Sequence, residues 1–241
     1  MAVLEAQDLN VRFGEHHAVR DVSLEVEAGT IVGLIGPNGA GKTTTFNALS
    51  GVQACRGKVV LDGVDVSSAP PHRRALLGLT RTFQRLEVFG SMTAYDNIRT
   101  AAEITSWRGR AQLRRARETA DRVIELVGLE RVADRRADAL PTGQARLVEL
   151  GRALATSPKV VLLDEPASGL DDVETQRLSE VLTSLIADGL AVLLVEHDMD
   201  LVMDLCSTIC VLDFGSVIAS GTPEQIRSDG RVRDAYLGAV V

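Results

Sequence analysis

The sequence predicts an α/β fold in which a parallel β-sheet is covered by helices on both faces and interrupted by an inserted helical segment. Three apolar runs, residues 31–35, 159–165 and 189–197, have the length and composition of strands buried in the middle of a sheet. Residues 171–187, between the second and third runs, have helical spacing, as a crossover between parallel strands requires. Residues 85–155 are rich in Ala, Arg, Leu and Glu, which predicts several successive helices.

Before the parallel sheet, the N-terminal region is predicted to form short strands and turns. Apolar residues alternate with polar ones in two stretches, as in half-buried strands. These apolar residues are Leu9, Val11 and Phe13 in the first stretch and Val22, Leu24 and Val26 in the second. Residues 58–66, KVVLDGVDV, indicate a hairpin that turns at Asp62-Gly63.

Apolar spacing places two of the later helices. The apolar face of the helix predicted over 171–187 consists of Val173, Leu178, Leu182 and Leu185. Residues 140–154, LPTGQARLVELGRAL, contain a second helix with Thr142 as its candidate N-cap. The apolar stripe of this helix consists of Leu147, Leu150 and Leu154. Its first turn has no acidic residue, so the partial positive charge of the helix start predicts an anionic ligand.

Composition argues against several classes of function. The 241 residues are 45% hydrophobic and 24% charged, as in an ordinary globular protein, and the net charge of −7 disfavours a mainly electrostatic role on nucleic acid. The N-terminus lacks the basic and apolar segments of a secretory signal, and the apolar run at 190–195 is too short to cross a bilayer. A role at a membrane therefore requires a partner. Cys206 and Cys210 lack further ligands nearby for zinc, which favours simple burial in a reducing compartment.

A phosphate-binding loop follows the first buried run. GPNGAGKT, Gly36 to Thr43, fits the pattern G-x-x-x-x-G-K-[ST] in full and precedes a helical pattern. Its glycines allow the backbone to curl so that successive N–H groups point inward at phosphate oxygens. Lys42, one of only three lysines in the chain, would reach the β- and γ-phosphates, and the Thr43 hydroxyl would bind Mg²⁺.

Two carboxylates and a histidine follow the other buried runs. Asp164 and Glu165 lie at the end of the sheet where ligands bind in open parallel sheets. Adjacent strand residues point in opposite directions, which predicts separate roles. Asp164 would hold Mg²⁺, and Glu165 would act as general base toward the attacking water. His197 ends the next run in the same way and is predicted to contact the γ-phosphate.

In this order, the motifs resemble those of the ATP-binding subunit of ATP-binding-cassette (ABC) transporters, which are P-loop NTPases with a RecA-like parallel-sheet core. The resemblance covers nearly the whole chain. Its first motifs are the Walker A loop Gly36–Thr43, the Q-loop residue Gln84 in RTFQ, and the signature segment Leu140, Pro141, Thr142, Gly143 and Gln144. The remaining motifs are Walker B, ending at Asp164 and Glu165, the D-loop SGLD from Ser168 to Asp171, and the switch histidine His197.

The resemblance implies a single ABC ATP-binding domain over residues 1–241. The RecA-like core and an N-terminal antiparallel β subdomain would comprise residues 1–85 and 156–225, with an inserted α-helical subdomain at 86–155 and a C-terminal tail at 226–241. ATP and Mg²⁺ are the implied cofactors. The implied ATP contacts are Phe13, Gly36, Pro37, Asn38, Gly39, Ala40, Gly41, Lys42, Thr43, Thr44 and Gln84. The implied Mg²⁺ contacts are Thr43, Gln84 and Asp164.

The resemblance also implies a dimer of ABC ATPase subunits, either two copies of this chain or two different chains. The signature helix of one subunit would bind the γ-phosphate of ATP held by the other, which identifies the missing anion. The implied dimer residues are Leu140 to Gln144, Ser168 and Asp171. Transmembrane permease subunits and an extracytoplasmic solute-binding protein are the other expected partners. The subunit would lie at the cytoplasmic side of the cell membrane, and no nucleic-acid partner is expected.

Two positions depart from the usual signature sequence, L-S-G-G-Q. Pro141 replaces the serine and has neither a hydroxyl nor an N–H, and Thr142 replaces the first glycine. Because Thr142 can supply a hydroxyl, a working site is expected. A weakened site that pairs with a different subunit is the alternative. Phe13 stands where the family places an aromatic that stacks on adenine, although its alternation with Leu9 and Val11 also fits a core role.

The segments RTFQRLEVFGSMTAYDNI and RDAYLG (233–238) are similar to the ATPases of LivG-type branched-chain amino-acid importers. Import of branched-chain or hydrophobic amino acids is therefore predicted. The alternatives are the ATPase of a lipopolysaccharide-export system and a soluble nucleotide-gated ABC ATPase with low turnover. ABC ATPases of DNA repair or translation and P-loop kinases fit this single compact cassette less well. Leu86, Val88 and Phe89 are expected to be exposed and to meet the permease. The basic stretch 108–117 is expected to be a solvated helix face, with contact to anionic lipid headgroups as the alternative.

Overall fold

Two β-sheets and a set of helices make up the described part of the chain, residues 2–105 and 110–237 of a computed structural model. The strands are β1 (Ala2–Phe13), β2 (His16–Glu27), β3 (Ile31–Ile35), β4 (Arg56–Leu61), β5 (Val64–Asp65), β6 (Leu79–Arg81), β7 (Val160–Asp164), β8 (Ala191–Val195), β9 (Thr208–Asp213) and β10 (Ser216–Gly221). The helices are α1 (Lys42–Ser50), α2 (Pro71–Leu76), α3 (Ala94–Thr105), α4 (Arg110–Val127), α5 (Thr142–Leu154), α6 (Asp172–Ala187), α7 (Met199–Leu205), α8 (Pro223–Ser228) and α9 (Gly230–Leu237). Short 3-10 helices lie at Glu130–Val132 and Ala137–Ala139.

The larger sheet confirms the predicted α/β class. Among the described residues its strand order is β10-β9-β3-β8-β7-β6, and the neighbouring strands are parallel except for the antiparallel pair β9 and β10. Strands β3, β7 and β8 are buried at every position and match the three predicted apolar runs to within two residues. Because parallel strands end at one edge of a sheet, the segments after β3, β6, β7 and β8 meet at that edge.

The smaller sheet is antiparallel, with the order β2-β1-β4-β5. The predicted hairpin at 58–66 is confirmed, and both turn residues have positive φ, 48° for Asp62 and 76° for Gly63, as a type I′ turn requires. Strands β1 and β2 are longer than predicted, at 12 residues each. Register shifts after Leu9 and Val11 interrupt the alternation in β1, so these two residues are buried whereas Phe13 is 51% exposed. The core role considered for Phe13 is therefore wrong.

The helical segment packs against the larger sheet. Helices α3, α4 and α5 contact one another, and their apolar residues share one core with residues of β3, β7 and β8. Gly151 of α5 permits the close approach of α3, because a Cβ there would stand 2.7 Å from Ile98 Cδ1. Part of the basic stretch 108–117 lies outside the described side chains, but Arg114, Arg115 and Arg117 are exposed, as predicted for a solvated face.

The apolar face of α6 differs from the prediction. Val173 is 76% exposed, whereas Leu178 and Leu182 are buried and Leu185 is half-buried. Val173 lies five residues before Leu178, which at 3.6 residues per turn places the two side chains about 140° apart around the helix. Val173 also falls in the first turn, where Asp171 and Glu174 form a capping box that is open to solvent.

One buried arginine joins the end of α1 to the connection that follows β5. Arg74 of α2 is 2% exposed. Its guanidinium donates to the carbonyls of Ala48 (2.8 Å) and Leu49 (2.6 Å) at the end of α1, and to those of Ser67 and Ala69 (both 2.9 Å). Burial lowers the pKa of Arg74. A positive charge at this position complements the partial negative charge of the helix C-terminus.

Two further expectations concern the cysteines and membrane-spanning helices. Cys206 and Cys210 are both 5% exposed, which confirms burial, while Cys55 is half-buried. Burial raises the pKa of Cys206 to about 12. Among the helices of the described residues, none has the length and hydropathy needed to cross a bilayer.

Candidate functional site

The phosphate loop connects β3 to α1 at the carboxyl edge of the larger sheet. Its first glycine, Gly36, has φ of 150°, and a Cβ there would lie 2.1 Å from the Leu212 carbonyl oxygen, so no larger residue fits. Gly41 is the N-cap of α1 with φ of 107°. The loop therefore turns back on itself directly before the free N–H groups of the first turn of α1, which is the geometry of an anion site.

The side chain of Lys42, the first residue of α1, folds back into this loop. This side chain is largely buried, and Nζ donates to the carbonyls of Gly36 (2.5 Å) and Pro37 (3.1 Å). Burial lowers the pKa of Lys42, while the carboxylates of Glu165 and Asp164 raise it. Asn38, Gly39 and Thr43 are exposed, Thr44 is half-buried and Ala40 is buried. The lysine is thus held inside the loop by main-chain oxygens that a phosphate group can replace.

Asp164, the last residue of β7, is 1% exposed. Its Oδ2 accepts from Nη2 of Arg81 at 3.3 Å, and its backbone N–H donates to the Thr82 hydroxyl at 3.1 Å. Its Oδ1 is buried and has no hydrogen-bond partner among the described residues. Burial raises the pKa of this carboxyl, and the nearby Arg81 opposes that shift. A buried carboxylate oxygen without a partner fits the oxygen ligands that Mg²⁺ prefers, directly or through water.

Glu165 brings the predicted catalytic residues together. Its Oε1 lies 2.8 Å from Nε2 of His197, and Nε2 of Gln84 donates to its two oxygens at 3.1 and 3.2 Å. The three residues come from segments after β7, β8 and β6, so the sheet order assembles them. The prediction that strand alternation orients Glu165 is wrong, because β7 ends at Asp164 and Glu165 has a left-handed φ of 52°.

Glu196, which the sequence analysis did not identify, is a buried carboxylate that hydrogen-bonds to the backbone next to this cluster. It is 5% exposed, and its carboxylate accepts from the backbone N–H groups of Ala167 (2.7 Å) and His197 (3.0 Å). Burial raises the pKa of Glu196, and these hydrogen bonds oppose the shift. The residue thereby joins the turn after Glu165 to the backbone of His197. Its position one residue before His197 was the only sequence signal.

The signature segment precedes and begins α5. Leu140 is half-buried, Pro141 and Thr142 are exposed, and Gly143 is buried. The prediction of Thr142 as N-cap is wrong, because Pro141 occupies the N-cap, and no side chain of the described residues caps the helix. Gln144 Oε1 is buried without a hydrogen-bond partner in the described part of the chain.

The D-loop lies against the start of α5 in the same chain. A Cβ on Gly143 would stand 2.1 Å from Oε2 of Glu174, and one on Gly169 would stand 3.1 Å from Cγ2 of Thr142. Asp171 is the N-cap of α6, since its side chain accepts from the Glu174 N–H at 2.8 Å. Ser168 is exposed. The carboxylate of Glu174 is therefore close to the helix start for which the sequence predicted an anion.

Charged residues of α5 hold the segment that follows β6. Arg146 donates to the carbonyls of Phe83 (3.0 Å) and Gln84 (2.6 Å). Glu149, 5% exposed, accepts from the N–H groups of Phe83 (3.3 Å) and Glu87 (3.4 Å). Burial raises the pKa of Glu149. These residues were not predicted, because their partners lie more than 60 positions away in sequence.

The apolar residues expected to meet a permease are only partly exposed. Phe89 is 44% exposed, but Leu86 and Val88 are half-buried, so the prediction that both are exposed is wrong. Val88 packs against the core of the helical segment. Phe83, 41% exposed, adds an aromatic surface next to Gln84.

A lysine enclosed by a glycine-rich loop, with strand-end carboxylates beside it, defines this chain as a P-loop nucleotide hydrolase. The family profile described as "ABC transporter" matches residues 19–168, and the profile described as "Branched-chain amino acid ATP-binding cassette transporter" matches residues 216–241. The chain therefore belongs to the ABC transporter family, and it is an ATP-binding, ATP-hydrolysing subunit of that family. The predicted family, fold and enzyme class are confirmed.

Relatives of two kinds match the chain to a similar degree. It is 40% identical over 239 residues to the lipopolysaccharide export system ATP-binding protein LptB of Haemophilus influenzae, covering 99% of this chain and 98% of LptB. It is 41% identical over 249 residues to the high-affinity branched-chain amino acid transport ATP-binding protein BraF of Pseudomonas aeruginosa, covering 98% of both. A nucleotide-free ATP-binding cassette from an ABC transporter superposes with a TM-score of 0.87 at 29% identity, covering 98% of this chain and 99% of that one.

Proposed function

We propose that the chain binds Mg²⁺·ATP in the loop Gly36–Thr43, with Thr44 and Gln84 beside it, and hydrolyses it with Glu165 as general base. The observation that carries this proposal is that Gln84 and His197 both contact the Glu165 carboxylate. This contact lies at the same edge of the larger sheet as the phosphate loop and Lys42. Glu165 accepts the proton of the attacking water, Lys42 binds the phosphates, and His197 contacts the γ-phosphate. Thr43, Gln84 and Asp164 would hold Mg²⁺, which would supply charge neutralisation on the phosphates. Phe13 stacks on the adenine.

The active unit proposed is a dimer in which the signature segment of one subunit, Leu140 to Gln144, completes the ATP site of the other. The exposed start of α5 supports this arrangement, because its free N–H groups suit a phosphate. Ser168 and Asp171 are exposed in the D-loop, whose Gly169 lies against Thr142 at the start of α5. Opening and closing of this dimer would drive membrane-embedded permease subunits.

The substitution Glu165→Gln tests this mechanism. It retains the hydrogen-bonding shape of the side chain but removes the base, so kcat is expected to fall about 10²- to 10⁴-fold. ATP binding should persist, and the variant should accumulate as an ATP-bound dimer in size-exclusion chromatography. Glu130→Gln, at an exposed carboxylate in a 3-10 helix, is the matched control and should hydrolyse ATP normally. Wild-type kcat in Glu165→Gln would show that another group is the base.

The transport function proposed is import of branched-chain or hydrophobic amino acids, with a solute-binding protein outside the cytoplasmic membrane and this subunit on its inner side. The match of residues 216–241 to the branched-chain amino-acid profile and the 41% identity to BraF support it. The second candidate, lipopolysaccharide export, is supported by the 40% identity to LptB. That function would need no solute-binding protein.

Inactivation of the chain in its native host separates these two functions. Replacing the gene with the Glu165→Gln allele should abolish uptake of radiolabelled leucine, isoleucine and valine and leave outer-membrane lipopolysaccharide unchanged. The Glu130→Gln allele should support normal uptake. Normal amino-acid uptake together with loss of surface lipopolysaccharide would instead assign the chain to export.

A further inference from the structure

Arg81 is a buried cation at the edge of the proposed active site. It is the last residue of β6, three positions before Gln84, and only 7% of its side chain is exposed. Burial lowers its pKa, and the carboxylate of Asp164 offsets the shift. A guanidinium is removed from water only at a large cost, so its partners must compensate.

The guanidinium contacts three different elements. Nη2 lies 3.3 Å from Oδ2 of Asp164 at the end of β7, and Nη1 donates to Oδ1 of Asn47 in α1 at 2.6 Å. On a third side, the guanidinium lies 4.4 Å from the centre of the Phe83 ring, next to Gln84. One side chain thus joins the Asp164 carboxylate, the helix that begins at Lys42 and the segment that carries Gln84.

These contacts fix the orientation of the Asp164 carboxylate. Nη2 of Arg81 donates to Oδ2, and the backbone N–H of Asp164 donates to the Thr82 hydroxyl oxygen. The carboxylate group therefore has one oxygen occupied, and Oδ1 is left without a partner in residues 2–105 and 110–237. Residues that hold a metal-binding carboxylate in this way commonly set its affinity for the ion.

We infer that Arg81 is a positioning residue that holds Asp164 with Oδ1 available to Mg²⁺ and that ties this carboxylate to the phosphate-loop helix. The inference rests on the proposed function, since it assigns Asp164 to the metal. A lysine cannot replace the arginine fully, because the contacts to Asp164 and Asn47 use two different nitrogens of a planar fork. A glutamine removes the charge as well.

Binding of Mn²⁺ by the full chain tests the inference without turnover. Mn²⁺ is titrated by electron paramagnetic resonance into wild type, Arg81→Lys and Arg81→Gln in the presence of a non-hydrolysable ATP analogue. The Mn²⁺ dissociation constant is expected to rise about 10- to 100-fold in Arg81→Gln and by less in Arg81→Lys. Affinity for the analogue alone, measured in EDTA, should stay within twofold of wild type, because Arg81 touches Asp164 rather than the phosphate loop itself.

Two comparisons separate positioning from a general loss of structure. Arg74→Lys alters another buried arginine, whose hydrogen bonds within the described residues go to main-chain carbonyls, so it should lower thermal stability and leave the Mn²⁺ dissociation constant unchanged. In the background of Asp164→Asn, Arg81→Gln should weaken Mn²⁺ binding no further, because both substitutions remove the same interaction.

Wild-type Mn²⁺ affinity in both Arg81 variants would overturn the inference. Equal weakening in Arg74→Lys, or full additivity with Asp164→Asn, would do the same. If wild type bound no ATP analogue even in EDTA, the proposed function itself would be wrong, so the two failures are distinguishable.

Discussion

Replacement of Arg74 by methionine should destabilise the protein strongly, although the residue lies outside the proposed active site. Its guanidinium donates to four carbonyls, of which Ala48 O also accepts from the Gly51 N–H and therefore keeps a partner. Methionine fills most of the volume but leaves the carbonyls of Leu49, Ser67 and Ala69 without this donor. Each loss costs roughly 1–2 kcal/mol when water cannot reach the group.

The estimate must also include the cost of burying the charge, which the substitution removes. The net loss in the free energy of unfolding is therefore smaller than the sum of the three losses, about 2–4 kcal/mol. At about 2–4 °C per kcal/mol for a chain of this size, Tm should fall by roughly 4–16 °C.

Thermal unfolding followed by circular dichroism measures this change. Arg73→Met is the matched control, because Arg73 is the neighbouring residue on α2 and is exposed, so its Tm should stay near that of wild type. The ATP-induced increase in Tm should be retained in Arg74→Met, since Arg74 contacts the end of α1 opposite to Lys42. A Tm of Arg74→Met within about 2 °C of wild type would refute the reasoning that these carbonyls depend on the guanidinium.

Three further outcomes are expected. Gly143→Ala should lower the free energy of unfolding by about 1–2 kcal/mol, because its Cβ would displace the Glu174 carboxylate from its capping box. Urea titrations that give the same loss with and without Glu174→Ala would contradict this. The raised pKa of Glu149 means that the folded chain binds its proton more tightly than the unfolded chain, so the free energy of unfolding should fall as pH rises from about 4.5 through the folded-state pKa. Glu149→Gln should remove that fall, and a wild-type minus variant difference that is constant with pH would rule it out. At pH 8 a thiol reagent should react in the native protein with Cys55 at most, because burial raises the pKa of Cys206 to about 12, whereas all three cysteines should react in urea.

The sequence was most informative where function depends on local order along the chain. The strand β3, the loop from Gly36 and the start of α1 at Lys42 are contiguous, so one short pattern predicts all of them. The carboxyl ends of β7 and β8 were also predictable, because uninterrupted apolar runs mark buried parallel strands. From these runs it followed that Asp164 and His197 lie at one edge.

Residues that act through distant partners could not be predicted in this way. Arg81 contacts Asp164 across 83 positions, and this contact depends on β6 lying beside β7, which no periodicity indicates. Glu165 is a second example, because its orientation comes from a left-handed backbone after the strand and not from strand alternation. A three-residue edge strand such as β6 is too short to give a pattern.

The hydrogen bonds between α5 and the segment after β6 favour movement of the two as one unit. Arg146 and Glu149 bind both the carbonyls and the N–H groups of residues 83–87, and their side chains are 9% and 6% exposed. To shift this segment relative to α5 would break several charge-assisted hydrogen bonds at about 1.5–3 kcal/mol each. Moving the two together breaks none of them. A displacement applied at the exposed Phe89 should therefore move the start of α5 together with this segment, and the Gln84 side-chain amide would then lose its hydrogen bonds to Glu165.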